Sequence, residues 1–278
     1  MIQDIAPHRL YNEFQRDQSI SENDLVFAYN QGKILVEKVG RTIRLPRACE
    51  LETTGKEIYL LKLDDSKIFL ADQIPEENEH LHYYTLKELR NNSCGPLEMM
   101  FLLYTARHLA SWYLDNRFCG TCGHKTVHDH KERAMLCPSC GRKIYPRLLP
   151  AVIVGVVSGD ELLLTKYAGK RFAQNALVAG FTEIGESLEG TVRREVMEET
   201  GLKVKNITYY KSQPWGSADD ILMGFYCQVD GPTTIHRDEE ELMEAAFTKR
   251  EDIVLQTDDY SLTNEMMRRF KEGYDPFA

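Results

Sequence analysis

Four cysteines constrain this chain more than any other feature: Cys119-Gly-Thr-Cys122 and Cys137-Pro-Ser-Cys140, two Cys-x-x-Cys pairs separated by 14 residues. Each pair offers two soft thiolate ligands on one tight turn, and two pairs at this distance close a tetrahedral zinc site. Gly123 and Gly141 follow the pairs where the chain must reverse sharply. Four protein ligands leave no coordination position open for chemistry, so the predicted zinc is structural. His124, His128 and His130 are then expected as solvated loop residues, because the thiolates already suffice. The isolated Cys49, Cys94 and Cys227 are expected as small buried hydrophobes. Metal-binding rather than disulfide use of cysteine points to a reducing compartment. The start, Met1 to His8, lacks the pattern of a signal peptide, and the longest apolar run, Leu148 to Val157, falls short of the roughly 20 residues of a membrane span. A cytoplasmic protein without a membrane segment is expected.

Around the cysteines the chain divides into three parts. Residues 1–115 read as a β-rich domain with a connecting helix, 116–147 as the zinc ribbon, and 148–278 as a third domain of mixed strands and helices, an α+β chain as a whole. In the first part, Asp24–Asn30 and Lys33–Lys38 flank a turn at Gln31-Gly32, and Glu57–Leu63 and Lys67–Ala71 flank Asp64-Asp65-Ser66, two hairpin patterns. Pro96 opens a helical periodicity that runs to about Leu114. The third part begins with a hairpin, Ala151–Val157 and Glu161–Lys166. A helix from about Ser187 to Thr200 follows, then strands near Ile207–Tyr210 and Leu222–Val229 and a helix over Leu262–Lys271. The net charge of -9 argues against indiscriminate nucleic-acid binding, yet Arg117 to Arg147 carries a local excess of five positive charges. That ribbon suits either an anionic ligand or a solvated face balancing the tetrathiolate.

Chemistry is concentrated in Gly180 to Leu202, where six glutamates fall within 23 residues. On a helix, Glu195, Glu198 and Glu199 stand at i, i+3 and i+4, so their carboxylates share a face. Like charges so placed destabilise the helix unless something neutralises them, and a hard divalent cation such as Mg or Mn does so with oxygen ligands. Leu188, Val192 and Val196 form the stripe that anchors the helix, and Gly201 suits its left-handed end.

The string Gly180, Glu186, Arg194, Glu195, Val196, Glu198, Glu199, Gly201, Leu202 matches the pattern G-x5-E-x7-R-E-U-x-E-E-x-G-U, with U a bulky aliphatic residue. In this it resembles the Nudix hydrolases, which bind divalent metals on this loop-helix-loop and cleave nucleoside diphosphates linked to another group. The preceding four-cysteine ribbon, Tyr145-Pro146 and Ser212-Gln-Pro-Trp215 narrow the resemblance to the NADH pyrophosphatase branch, whose members also remove NAD caps from RNA. The likeness covers roughly Phe118 to Phe270. It implies a Nudix α/β/α sandwich, with metal held by Glu195, Glu198, Glu199 and a later glutamate, Glu241 ahead of its neighbours Glu239, Glu240 and Glu244. By the same resemblance Phe181 and Tyr145 stack on bases, Gln213, Trp215, Glu132 and Thr263 contact substrate, and the chain forms a homodimer in which Tyr145 reaches the partner's site.

The implied reaction takes NAD(H) and water to nicotinamide mononucleotide and AMP, with NAD-capped RNA as a further substrate. Glu198 is the expected base, and Arg194 is expected to orient a carboxylate rather than touch substrate. The family motif S-Q-P-W-P-F-P-x-S is broken after Trp215 by Gly216-Ser-Ala-Asp219-Asp220, which leaves Asp219 and Asp220 poorly placed beside an anionic substrate without a metal between. That departure keeps ADP-ribose or another nucleoside diphosphate derivative open as the substrate. A nucleotide-sensing or RNA-binding module with a vestigial box is the non-enzymatic reading.

Overall fold

The computed structural model describes residues 1–91, 95–169, 174–257 and 259–278, so Cys94 lies outside the described residues. The chain separates into two compact units, one of residues 3–147 with 215–219, the other of 1–2, 148–214 and 220–278.

In the unit containing residues 3–147, β1 (Leu10–Tyr11), β2 (Leu25–Phe27), β3 (Tyr29–Asn30), β4 (Lys33–Val39), β5 (Thr42–Arg44), β6 (Ile58–Leu63), β7 (Ser66–Leu70) and β8 (Leu81–Thr85) build two four-stranded sheets. One has the order β1-β6-β7-β2, while β4 carries β3, β5 and β8 in the other. The expected hairpins are present at β3–β4 and β6–β7. The run that begins at Asp24 does not, however, stay in one sheet. Leu25–Phe27 pairs in parallel with β7, and only Tyr29–Asn30 pairs with β4. Val26, Phe27 and Ala28 are all buried, so no apolar-polar alternation ties the run to a single sheet. Two helices follow, α1 (Leu86–Asn91) and α2 (Leu97–Asp115), with Pro96 at the N-cap of α2 rather than inside its first turn. The ribbon strands β9 (Val127–His128), β10 (Met135–Leu136) and β11 (Lys143–Ile144) form a three-stranded sheet with β10 in the centre.

The second unit is organised around β12 (Leu149–Ser158), β13 (Glu161–Tyr167), β14 (Val178–Phe181), β15 (Val204–Trp215), β16 (Asp220–Val229) and β17 (Leu242–Lys249), in the order β15-β16-β12-β13-β17 with β14 beside the first half of β12. The strand β12 is apolar on both faces because a layer covers each of them. On one face, α3 (Leu188–Thr200) buries Val192 and Val196 against Val152, Val154, Val156, Leu163 and Phe225. On the other, α4 (Leu262–Lys271) buries Leu262, Met266, Met267 and Phe270 against Ile153, Leu162, Leu164 and Tyr226. The result is an α/β/α sandwich. No described helix is long and apolar enough to cross a membrane.

Candidate active site

The thiols of Cys119, Cys122, Cys137 and Cys140 converge, with all four sulfur atoms within 4.8 Å of one another. Cys119 Sγ lies 3.7 Å from Cys140 Sγ, and Cys122 Sγ lies 3.4 Å from Cys137 Sγ. Four sulfurs at about 2.3 Å from a tetrahedral zinc stand about 3.8 Å apart, so the set fits a structural zinc ion. The turns expected at Gly123 and Gly141 close in the left-handed conformation, with φ of 74° and 75°. Backbone N–H groups of Thr121 and Cys122 directed at Cys119 lower its thiol below the ordinary range, while Cys122, which the His124 N–H lowers, is pushed up by hydrogen bonds from the neighbouring thiols, so these thiols titrate as one set. Two expectations in this region change. His128 sits on β9 with its ring 5.3 Å from that of Tyr113, so it is not a loop residue. Cys49 is exposed while Cys227 is buried, because Cys49 lies on a surface 3-10 turn, where nothing covers its thiol.

The ribbon's positive charge is partly spent within its own unit. Lys143 Nζ lies 2.6 Å from Glu132 Oε1 and 3.0 Å from Asp129 Oδ2, and Arg133 donates to the carbonyls of Asn12 and Leu60. Glu132 and Tyr145, both expected to contact substrate, are brought together: the half-exposed Tyr145 donates its hydroxyl to Glu132 Oε1 at 3.0 Å.

In the other unit, the glutamate-rich helix is capped at both ends. Ser187 accepts from the Gly190 N–H, and Gly201 ends the helix at φ 72°. Arg194 organises the carboxylates around it. Its guanidinium makes a bidentate pair with Glu186 at 2.7 and 2.9 Å, and reaches Glu195 at 2.7 Å, Glu198 at 3.0 Å and the Phe181 carbonyl at 2.9 Å. Arg194 holds the Glu186 carboxyl at about 2. The ring of Phe181 is half exposed. A Cβ at position 180 would lie 2.0 Å from the Glu195 carboxylate, so any larger residue there would displace that side chain. Burial raises the Glu195 carboxyl above the ordinary range despite the arginine.

Glu199 is the most unusual of these groups. It is 1% exposed, its Oε2 meets no hydrogen-bond partner among the described residues, and burial with the charges of Glu195 and Glu241 pushes its carboxyl up to about 8. Sequence reasoning had no means of separating Glu199 from the exposed Glu198, since both stand on one helix face. Of the later glutamates, Glu239 pairs with Arg237 at 3.5 Å and Glu244 with Lys166 at 2.6 Å. Glu241 is the one whose charge acts on both Glu195 and Glu199. Among the described residues only the four cysteines bring three or more ligand atoms within 4.8 Å of one another, so the oxygens of Glu195, Glu198, Glu199 and Glu241 do not converge to that degree. The buried Glu199 oxygen without a partner, beside like charges, is nonetheless a group that a hard divalent cation would satisfy.

Gln213, Trp215 and Thr263 are placed differently from Phe181. The buried Gln213 amide donates to the Tyr260 carbonyl at 2.6 Å and its oxygen accepts from the Leu262 N–H at 2.7 Å, so its carboxamide ties β15 to the start of α4. Thr263 lies in the first turn of that helix, half-buried. The Trp215 ring packs 5.1 Å from that of Tyr104 and 5.2 Å from the Arg90 guanidinium. Nor does Asp219 wait for a metal. Arg107 Nη1 lies 2.6 Å from Asp219 Oδ1 and donates to the Gly216 carbonyl at 2.7 Å, so the helix α2 neutralises that charge. Asp220 is buried at the start of β16, opposite Leu149 of β12. The departure from the family motif is thus a segment built to seat on α2, a role its sequence alone did not reveal.

With this geometry in place, comparison with known proteins is informative. A family profile described as "NUDIX domain" matches residues 147–270, and one described as "NADH pyrophosphatase zinc ribbon domain" matches residues 114–145. The chain carries a Nudix domain preceded by an NADH pyrophosphatase zinc ribbon. Proteins named NAD-capped RNA hydrolase NudC from Citrobacter koseri and Shigella flexneri are each 40% identical over 147 residues, 53% of this chain and 57% of the relative. The match therefore spans little more than half the length of these curated relatives. A Nudix hydrolase crystal structure from Nitrosomonas europaea aligns with a TM-score of 0.48 at 21% identity, covering 56% of this chain and 90% of that one.

Proposed function

We propose that this Nudix-domain protein hydrolyses the diphosphate of NAD(H), giving nicotinamide mononucleotide and AMP, and that it acts in the same way on NAD-capped RNA. The observation that carries the reading is the Glu199 carboxylate, buried without a partner at Oε2 beside Glu195 and Glu241 on a rigidly capped helix. The ribbon that precedes the Nudix domain, and the likeness to NAD-capped RNA hydrolases, direct the choice of substrate toward NAD. Glu195, Glu198, Glu199 and Glu241 would hold Mg or Mn. A divalent cation so bound supplies neutralisation of the diphosphate charge and a lowered pKa for bound water.

The chain's own groups have distinct tasks. Glu198, the exposed member of the cluster, accepts the proton of the attacking water. Arg194 fixes the Glu186, Glu195 and Glu198 carboxylates and does not touch substrate. Phe181, exposed at the end of β14, stacks on a base, and in a homodimer Tyr145 supplies a second ring from the partner subunit.

Chromatographic product analysis of the zinc-loaded protein with NADH, NAD, NAD-capped RNA and ADP-ribose, with and without added Mg or Mn, tests the reading. AMP and reduced nicotinamide mononucleotide are expected only with added metal. Cleavage of ADP-ribose alone would overturn the dinucleotide assignment while keeping the hydrolase. Nucleotide binding without hydrolysis under any condition would favour a sensing module.

A further inference from the structure

The strand β13 runs beside β17 in regular antiparallel register from Glu161↔Lys249 to Lys166↔Glu244, and then slips, so that Tyr167 stands opposite Leu242 and Met243 is left over. A bulge of this kind re-aims the residues at a strand end. By strand alternation Tyr167 shares the face of Leu163, which packs in the core beneath α3. There its hydroxyl lies 3.4 Å from Glu199 Oε1 and 3.3 Å from the Leu177 carbonyl. The Ala179 N–H is directed at both the tyrosine oxygen and the Glu199 carboxylate. Glu199 is thereby held through Oε1, which leaves the buried Oε2 as the oxygen without a partner among the described residues. The next residue acts on the other glutamate: the Ala168 N–H donates to the Glu241 carbonyl at 2.8 Å. A two-residue segment at the end of β13 thus contacts one glutamate through its side chain and another through its main chain.

From this geometry we propose that Tyr167 is a positioning residue that orients the Glu199 carboxylate, with Oε2 presented to a divalent cation. The inference rests on the reading that the glutamate cluster binds such a cation. A tyrosine suits the task because its ring has few rotatable bonds and, packed in the core, holds the hydroxyl at a fixed height. Groups that orient a metal's ligands typically change affinity by about 10- to 100-fold when removed.

The test is Mn binding to the full zinc-loaded chain, with free Mn counted by electron paramagnetic resonance. Wild type is compared with Tyr167→Phe, Glu199→Gln and Thr165→Val, and kcat and KM for NADH are measured at saturating Mn. Tyr167→Phe is expected to weaken Mn binding about 10-fold, at the lower end of that range. Its KM for the dinucleotide and its melting temperature should stay close to wild type, and kcat should recover as Mn is raised. Thr165→Val, which alters a buried neighbour on the same strand, is expected to leave Mn affinity unchanged.

Mn affinity of Tyr167→Phe within twofold of wild type overturns the assignment, as does an equal loss in Thr165→Val, which would make the effect one of strand packing. If Glu199→Gln abolishes binding while Tyr167→Phe stays within twofold of wild type, only the tyrosine's role fails. If wild type binds no Mn at the cluster, the cation reading falls with it.

Discussion

At the scale of single residues, the site depends on one carboxyl whose environment no local pattern specifies. Glu199 has its carboxyl pushed up to about 8, by burial first and by Glu195 and Glu241 second. The folded protein therefore keeps a proton there that the unfolded chain releases near the ordinary glutamate range. Without metal, the stability of the Nudix unit should fall as pH rises toward 8. A cation reverses this preference because it binds the deprotonated form. Isothermal titration with Mn should show affinity rising about tenfold per pH unit between pH 6 and 8 and levelling above. In Glu199→Gln that slope should be lost together with most of the binding. A flat profile in wild type would show that Glu199 does not ligate.

Among the secondary-structure elements, local strength and tertiary demand can be told apart. The helix α3 was legible because its Ser187 cap, Gly201 end and apolar stripe are all local signals. Two strands were not. The sequence Leu-Met-Glu-Ala-Ala-Phe-Thr-Lys of β17 is rich in helix formers, yet it pairs along the whole of β13, and β14 is four residues long with Gly180 inside it. Sheet register overrides propensity in both. The link between β15 and β16 carries a similar lesson. Gly216 sits where a Cβ would meet the Tyr104 carbonyl of α2 at 2.1 Å, and a helix backbone does not give way easily. Gly216→Ala is expected to cost about 1–3 kcal/mol as an overpacking change, read as a lower denaturant midpoint. Unchanged stability would mean that the segment is not seated on α2 in solution.

For the molecule as a whole, the ribbon is expected to need a metal to hold its fold. Its strands are two residues each, too short to be stable alone, and the Cys119 and Cys137 amides bond only across their own turns, to His124 and Arg142 at 2.8 and 2.9 Å. Mercurial titration should release one zinc per chain. Hydrogen exchange after release should show these amides deprotected, while β12 amides, shielded by sheet neighbours on both edges, keep their protection. Protected ribbon amides in zinc-free protein would show that the ribbon folds without metal.

The sequence by itself determined what depends on spacing along the chain. Two cysteine pairs on tight turns and three glutamates on one helical face need only local geometry to be brought together. The tertiary structure decided what depends on pairing between distant segments. It brought the charge of Glu241 to bear on Glu195 and Glu199 and placed Tyr167 beside Glu199. It also committed Gln213 to the start of α4 and Trp215 to Tyr104 and Arg90. These outcomes follow from strand register and burial, which are set by the summed packing of a whole core and leave no signature at any single position.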